Sequence, residues 1–541
     1  MSTAAEQLDA IFAPANSTRA PGGVIAVRQA GAMLYRRGYG MASIEHGVAN
    51  TPATRMRIGS SSKQFACMAA LLLAEDGKLD LDAPLDRWVP GLPGFPAMPS
   101  ARQLMNHTSG YRDHLDAAGL ANGGAKIRDG WAMQMIARQT GANFAPGNGQ
   151  TYCNAGYHLL SAVIDAAAGE RFEDFLERRI FQPLGMTATA SQPSDYVITP
   201  GLATLHVPLP GGGWRRGLFP TEEIRGEGAM VSTVDDLMRW LAELKGPHRL
   251  ASAESWRMMT DAPLLPDGTR AIYALGLHRH IYRGVEVIHH AGGVIGGAAQ
   301  VMHVPAHDLD IVMLSNGGPL QPIPTVWRIL DTLLESELSP PLPPLASAGD
   351  FAHLEGAFYG GADGTLVGFG AVGEVLGISF IGTPPFPILR DHGDRLVVGF
   401  EESALGPLVI DKASLAAPAP GQPPETIAFS ESGRRQTLHR LTITDADAAR
   451  IGSALGGRYH SIDLAAEATI NPGHPAPIAV RGEFGQVEGA VRILSEEFAV
   501  VTEPGADLPS AAIHFERDGA RITGFRVSAP RSRGLRFERQ G

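Results

Sequence analysis

The sequence predicts a multidomain protein, with an α/β or α+β region over roughly residues 5 to 335 followed by an all-β region to Gly541. Three observations carry this reading. At 541 residues the chain is longer than the ~250–300 residues at which single hydrophobic cores stop growing. Up to about residue 335, Gly-bounded apolar strands alternate with helix-period stretches. Beyond it come short alternating apolar segments parted by Gly, Pro and Asp turns, with almost no helical period.

Taken in order, GGVIAVRQAGAMLYRRGYG from Gly22 predicts two strands joined across a Gly turn. Helices are predicted over Ser60 to Ala74, over Phe172 to Arg179 before a stop at Pro183, and over Thr233 to Lys245. In the last of these, Thr233 and Asp236 resemble a capping box, and Leu237, Trp240, Leu241 and Leu244 share one face. From Ser339, SPPLPPLASAG places four prolines in eleven residues, which excludes a helix or a central strand and marks a linker. The all-β region repeats itself: LEGAFYG from Leu354 recurs as LGGRYHS from Leu455, and IAFSESG from Ile427 recurs as IHFERDG from Ile513. Two related units of roughly 100 residues follow, divided near DADAARIG at 445–452.

Composition narrows the function classes. The chain is 44% hydrophobic, with 65 Gly and 40 Pro, so it has ample material for a core and none of the signature of disorder. Its formal charge of −11, from 45 basic and 56 acidic residues, is spread without a basic run, which argues against nucleic acid as a partner. MSTAAEQLDAIF lacks the pattern of a secretory leader, and the longest apolar run, Phe65 to Ala74, is about half of the ~20 residues a bilayer span needs. The expectation is a cytoplasmic protein with no membrane attachment. Two cysteines, Cys67 and Cys153, support neither a disulfide framework nor a thiolate zinc site, and both are read as reduced thiols.

Three short motifs carry chemistry. In IGSSSKQF, Ser60 and Lys63 stand at i and i+3 at the start of a helix, so their heads can touch. A serine hydroxyl needs a neighbouring base, and a lysine desolvated by apolar surroundings can share that role. The helix start adds N–H groups that favour an oxyanion. By itself Ser-x-x-Lys recurs by chance, and serines at helix starts are commonly caps. In PGNGQTYCNAGYHLL, Tyr152 and Asn154 are two apart, so an extended or turn backbone points both the same way; a packed tyrosine in a Gly/Pro turn is the plain alternative. In IHHAGGVIGGAAQVMHV, His290 precedes Gly293 on a predicted strand, where glycine lets a substrate approach the backbone. Adjacent His289 and His290 point to opposite faces of a strand, and no carboxylate motif supports His278 with His280, so no metal is expected.

The conjunction in this order, with roughly 90 and 140 residues between motifs, resembles the serine beta-lactamase and penicillin-binding superfamily, particularly its class C and D-Ala-D-Ala carboxypeptidase branch. LMNHTSGYRDH from Leu104 and IFQPLGM from Ile180 also look like segments of that family. SSSKQF, the cysteine between Tyr152 and Asn154, and the two C-terminal β units are similar to the D-stereospecific aminopeptidases of the superfamily, over essentially the full chain.

The resemblance implies an α+β fold: a beta-lactamase-like catalytic domain over 1–338, in which helices flank an antiparallel sheet, and antiparallel β-barrels over 346–446 and 452–541. It implies Ser60 as nucleophile, Lys63 as proton acceptor or donor, Tyr152 as relay to the leaving amine, Asn154 as substrate orienter and His290 as part of the polar network. The backbone N–H groups of Ser60 and Gly293 would form the oxyanion hole. It also implies a loop of the last barrel, roughly Phe484 to Leu494, reading the substrate's free amine through Glu488, with Glu483 close by. The expected substrate is a peptide or amino-acid amide with a free N-terminal D-residue, hydrolysed through an acyl-enzyme without cofactor. Beta-lactams are expected inhibitors and a homodimer the expected assembly. The alternatives are an esterase, a D-amino-acid amidase, a carboxypeptidase or beta-lactamase-like enzyme acting on acylated substrates, or a non-catalytic binding protein.

Overall fold

Strand β1 (Gly23–Gln29) buries both of its faces. Val24 and Ala26 join one apolar cluster, while Ile25 and Val27 join another on the opposite side, as the alternation of side chains along a strand requires. The same division holds for β6 (Leu309–Ser315), whose seven residues are all buried. With β2 (Ala32–Tyr39), β3 (His278–Tyr282), β4 (Val285–Val294) and β5 (Gly297–Val304), these strands form an antiparallel sheet in the order β3-β4-β5-β6-β1-β2. Helices α1 (Ala4–Phe12) and α6 (Pro322–Leu333) cover one face through Leu8, Phe12, Val326 and Leu330. Helices α2 (Lys63–Glu75), α4 (Asn154–Ala168) and α5 (Val234–Lys245) supply the larger cluster on the other. The computed structural model describes residues 4–94, 96–268, 270–398, 408–474, 477–502 and 511–541.

Predicted helix starts need refinement. Ser60 lies in a 3-10 turn, Gly59–Ser62, and the α-helix begins at Lys63. Helix Phe172–Leu176 does not stop before Pro183: it widens into a π-turn at Glu177–Phe181 and continues as Gln182–Leu184. Proline is accommodated there directly after the π-turn, in which the Gln182 N–H bonds the Glu177 carbonyl and the hydrogen-bond ladder is already widened. At α5 only half of the capping box forms: the Thr233 hydroxyl accepts from Asp236 N at 3.3 Å, while the Asp236 carboxylate accepts from Ala188 N and Thr189 Oγ1.

The Pro-rich segment contributes no helix, and Leu345 and Ser347 make isolated bridges to Arg390 and Val375. Eight antiparallel strands between Phe358 and Leu441 form a sheet whose edge strands, Val375–Phe380 and Leu389–Asp391, are nearly joined: Ile378 bridges Phe386 in the segment that leads to Leu389. Helix Asp445–Ala454, capped by Thr444, leads into a closed eight-stranded barrel, Gly457–Ser461 to Ser532–Arg539, whose first and last strands pair at Tyr459 and Arg539. The repeat is only partly topological. LEGAFYG and LGGRYHS both contain a first strand, but Thr426–Glu431 is the seventh strand of its sheet and Ala511–Asp518 the sixth of the barrel.

The barrel's interior residues, among them Tyr459, Phe525 and Phe537, are continuous with the core that holds α2 and α4. That continuity presses the barrel against the N-terminal region. Cys67 and Cys153 are buried free thiols. Among the described residues no helix is long and apolar enough to cross a membrane.

Candidate active site

Of the three consecutive serines, the fold uses two as structural hydrogen-bonding groups. The Ser61 hydroxyl donates to the His290 carbonyl at 3.1 Å, and Ser62 donates to the Gly59 carbonyl at 2.6 Å while accepting from Met230 N. Both are fully buried. Ser60 alone lines a cleft, and its hydroxyl accepts from Lys63 Nζ at 3.1 Å.

Lys63 is wholly buried at the start of α2, and its ammonium reaches only neutral acceptors: Ser60 Oγ, Asn154 Oδ1 at 2.9 Å and the Glu227 carbonyl at 2.6 Å. Burial pulls its pKa down to about 7, although Glu227 and Asp113 oppose the shift. Tyr152 lies with its ring centroid 4.7 Å from Lys63 Nζ. Burial raises its phenol well above the ordinary value, and a hydrogen bond with Ser60 offsets this in part.

Asn154 starts α4 and is fixed on both sides. Its N–H and Nδ2 donate to Asp113 Oδ2 at 2.5 and 3.0 Å, while its Oδ1 faces Lys63. Asp113 also caps helix α3 (His114–Asn122), accepting from Leu115 N at 2.9 Å. Burial pushes the Asp113 carboxyl up, but Arg531, His114 and these N–H donors outweigh it and keep it ionised.

The turn at Ser60 lies directly against strand β4. A side chain on Gly59, at φ +51°, would strike Gly293 N within 2.8 Å, and one on Gly292 would strike the Ile58 carbonyl. Only glycine permits this approach, and it brings the Ser60 and Gly293 backbones to one rim of the cleft. His290 sits deeper. Its Nε2 is 3.0 Å from the Tyr273 hydroxyl, within a cluster that includes His278 and, through Tyr273, His107 and Tyr152. It hydrogen-bonds neither Ser60 nor Lys63 through its ring, and burial holds its pKa well below the usual imidazole value.

Glu488 is not at the cleft. It lies on strand Gln486–Ile493, where Val487 faces the barrel interior and Glu488 the solvent, its carboxylate accepting from Gln486 Nε2 at 2.8 Å. The expected loop is mostly strand, and Glu483 pairs at the surface with Arg128. The barrel instead enters the cleft through the two-residue turn Pro530–Arg531, between strands Arg521–Ala529 and Ser532–Arg539. The incoming residue is a cation. Arg531 Nη2 and Nε bond Asp116 at 2.6 and 3.0 Å, and Nε lies 3.9 Å from Asp113. These carboxylates keep it charged against burial, and a third of its side chain remains exposed. Ser532 exchanges hydrogen bonds with the Asp113 backbone, and Arg112 ion-pairs Asp463 of the barrel at 3.0 Å.

Sequence reasoning missed Asp113, Tyr273, Glu227 and Arg531. Asp113 is five residues beyond the Thr108 of HTSG, and a carboxylate just before a helix was a readable cap; for Arg531 the one signal was a Pro-Arg turn between two apolar strands. The donor atoms of His114, His158 and Glu227 lie within 4.8 Å of one another and are the one group among the described residues that could hold a metal ion. Here His158 Nδ1 and Glu227 Oε1 pair at 3.0 Å. Burial opposes ionisation, but His158 holds the Glu227 carboxyl down to about 2.

A family model described as Beta-lactamase matches residues 6–334. A D-aminopeptidase of Cereibacter sphaeroides (strain KD131 / KCTC 12085) is 26% identical over 547 aligned positions, covering 98% of both chains. Among solved structures, an octameric penicillin-binding protein homologue from Pyrococcus abyssi covers 98% of this chain and 99% of its own, with a TM-score of 0.52 at 18% identity. A D-amino acid amidase from Ochrobactrum anthropi SV3 covers 61% of this chain and 98% of its own, with a TM-score of 0.51 at 24% identity. Both structural likenesses are likenesses of fold.

Proposed function

The chain belongs to the beta-lactamase family, and from that premise we propose that it is a serine hydrolase that removes N-terminal D-amino acids from peptides and amides through an acyl-enzyme on Ser60. The observation that carries this reading is the contact of Lys63 Nζ with Ser60 Oγ at 3.1 Å, in a pocket where burial brings the lysine to about 7. A neutral fraction of Lys63 near neutral pH takes the serine proton as Oγ attacks the carbonyl carbon. The N–H groups of Ser60 and Gly293 receive the oxyanion, and Tyr152, kept protonated by burial, passes a proton to the departing amine. Water then cleaves the ester. Asn154 and Asp113 act as positioning residues for Lys63.

The choice of substrate rests on the full-length likeness to a D-aminopeptidase. We place the protein in the cytoplasm as a homodimer open to acylation by beta-lactams, and divide it into a catalytic domain at 1–338 and barrels at 346–446 and 452–541. Arg531 supports a second reading. A partly exposed guanidinium in the cleft suits a substrate carboxylate better than an ammonium, as in a carboxypeptidase acting on acylated peptides.

The test is release of p-nitroaniline from D-alanine p-nitroanilide, its L enantiomer and its N-acetyl derivative. Turnover confined to the free-amine D compound supports the aminopeptidase; release of D-alanine from N-acetyl-D-alanyl-D-alanine, assayed alongside, in preference to cleavage of the anilides supports the second reading.

A further inference from the structure

A second cavity, of about 200 Å³, shares a wall with the Ser60 cleft: Leu115, Phe219 and Ile224 line both. Its remaining surface is dominated by Ala118, Ile127, Trp131 and Ile295. Of the polar residues around it, Glu223 accepts from the N–H groups of Gly130 and Ala132 and Thr221 Oγ1 accepts from Glu223 N, while His114 lies 3.9 Å from Glu227 through Nε2 and its Nδ1 is buried without a hydrogen-bond partner. What remains is an apolar chamber beside a nucleophile. An apolar cavity of about 150 Å³ already accepts benzene, so this one has room for a phenyl or isobutyl group.

The chamber is built by both halves of the chain. One wall is the end of α3 and the following Gly123 and Gly124. The barrel segment 482–487 clamps that wall: Phe484 N donates to Asn122 Oδ1 at 3.0 Å, and Val487 packs so closely on Gly123, at φ +59°, that a Cβ there would lie 2.9 Å from it. The barrel loop expected to read an amine thus shapes an apolar wall instead.

We propose that this cavity is the subsite for the side chain of the residue whose carbonyl Ser60 attacks, and that it selects a large apolar or aromatic side chain over a methyl. The proposal rests on Ser60 as the acylated residue. Each methylene placed in such a pocket is worth about 10-fold or more in discrimination.

The test is calorimetric binding of D-phenylalaninamide, D-leucinamide and D-alaninamide to the full chain carrying Ser60→Ala, which reads the subsite whether or not these compounds are turned over. The expected result is that the first two bind at least 10-fold tighter than D-alaninamide. Adding Ala118→Phe, or Gly124→Leu should the first variant fail to fold, is expected to remove the difference. Equal or weaker binding of the bulky amides, no binding of any of them in either the free or the N-acetyl form, or an unchanged ratio in both folded variants would overturn the proposal. The same side chains on N-acetyl amides separate the two readings: a preserved size ranking with tighter binding of acetylated compounds sinks the free-amine reading while leaving the subsite in place.

Discussion

Arg531 lines the Ser60 cleft and Lys63 lies buried against Ser60, and the fold treats these two cations in opposite ways. Lys63 is fully buried, donates only to a hydroxyl, an amide oxygen and a backbone carbonyl, and titrates at about 7. Arg531 is partly exposed, bonds Asp116 directly with Asp113 close by, and stays charged at any pH at which the protein folds. A carboxylate in direct contact would have locked the lysine as an ammonium. Neutral acceptors let it give up its proton. Where a charge must be lost the chain offers dipoles, and where it must persist the chain offers anions.

That contrast can be broken most directly at the nucleophile. Ser60→Ala is expected to lower kcat by about 10⁴-fold or more, measured on the best anilide; residual turnover within 10-fold would remove Ser60 from the chemistry. Lys63→Arg keeps the charge but cannot deprotonate. A loss of about 10³-fold with retained folding by circular dichroism is expected, and an active variant would show that charge alone suffices.

The pH profile sharpens the same point. Below a midpoint of about 7, kcat/KM should fall about 10-fold per unit as Lys63 protonates. The sign for stability follows from proton counting. The native lysine binds its proton less tightly than the unfolded one, so the buried ammonium costs stability below pH 7, and this cost is relieved as pH rises through about 7 towards the ordinary lysine value of 10.5. A flat kcat/KM profile from pH 5 to 9 would contradict the assignment. Arg531→Lys, which keeps the cation but loses the two-nitrogen grip on Asp116, should cost about 1–2 kcal/mol in urea unfolding and change kcat/KM by less than 10-fold. Smallest of all is Glu488→Gln. It should leave the ratio of free to acetylated substrate unchanged, and a 10-fold shift would return the amine-reading role to that strand.

What the sequence disclosed follows from distance along the chain. Ser60 with Lys63, and Tyr152 with Asn154, are one turn or two residues apart, so local geometry alone fixes their relation. The hairpin from Gly22 was legible as two strands across a Gly turn, and it forms as Gly23–Gln29 paired with Ala32–Tyr39. Arg531 was not, because it meets Asp116 across 415 residues, and nothing local to a hairpin tells which of a barrel's turns will face a partner. Glu488 failed for the same reason: a resemblance along the sequence transfers a position but not the identity of the turn that reaches the cleft. The second internal repeat marked two β units but not matching strands, since Thr426–Glu431 comes seventh along the chain among the strands of its sheet and Ala511–Asp518 sixth among those of the barrel.

Asp113 joins the nucleophile's side of the cleft to the barrel. One carboxylate starts α3, tethers Asn154 and helps neutralise Arg531. In evolutionary terms, position 113 is a junction and position 531 a branch. A change at 531 disturbs the charge balance of Asp116 and Asp113 alone, whereas a change at 113 disturbs a helix end, an amide's orientation and a charge balance at once. A lineage exploring new substrates on this scaffold therefore has one repair to make for a change in the hairpin and three for a change in the residue that receives it.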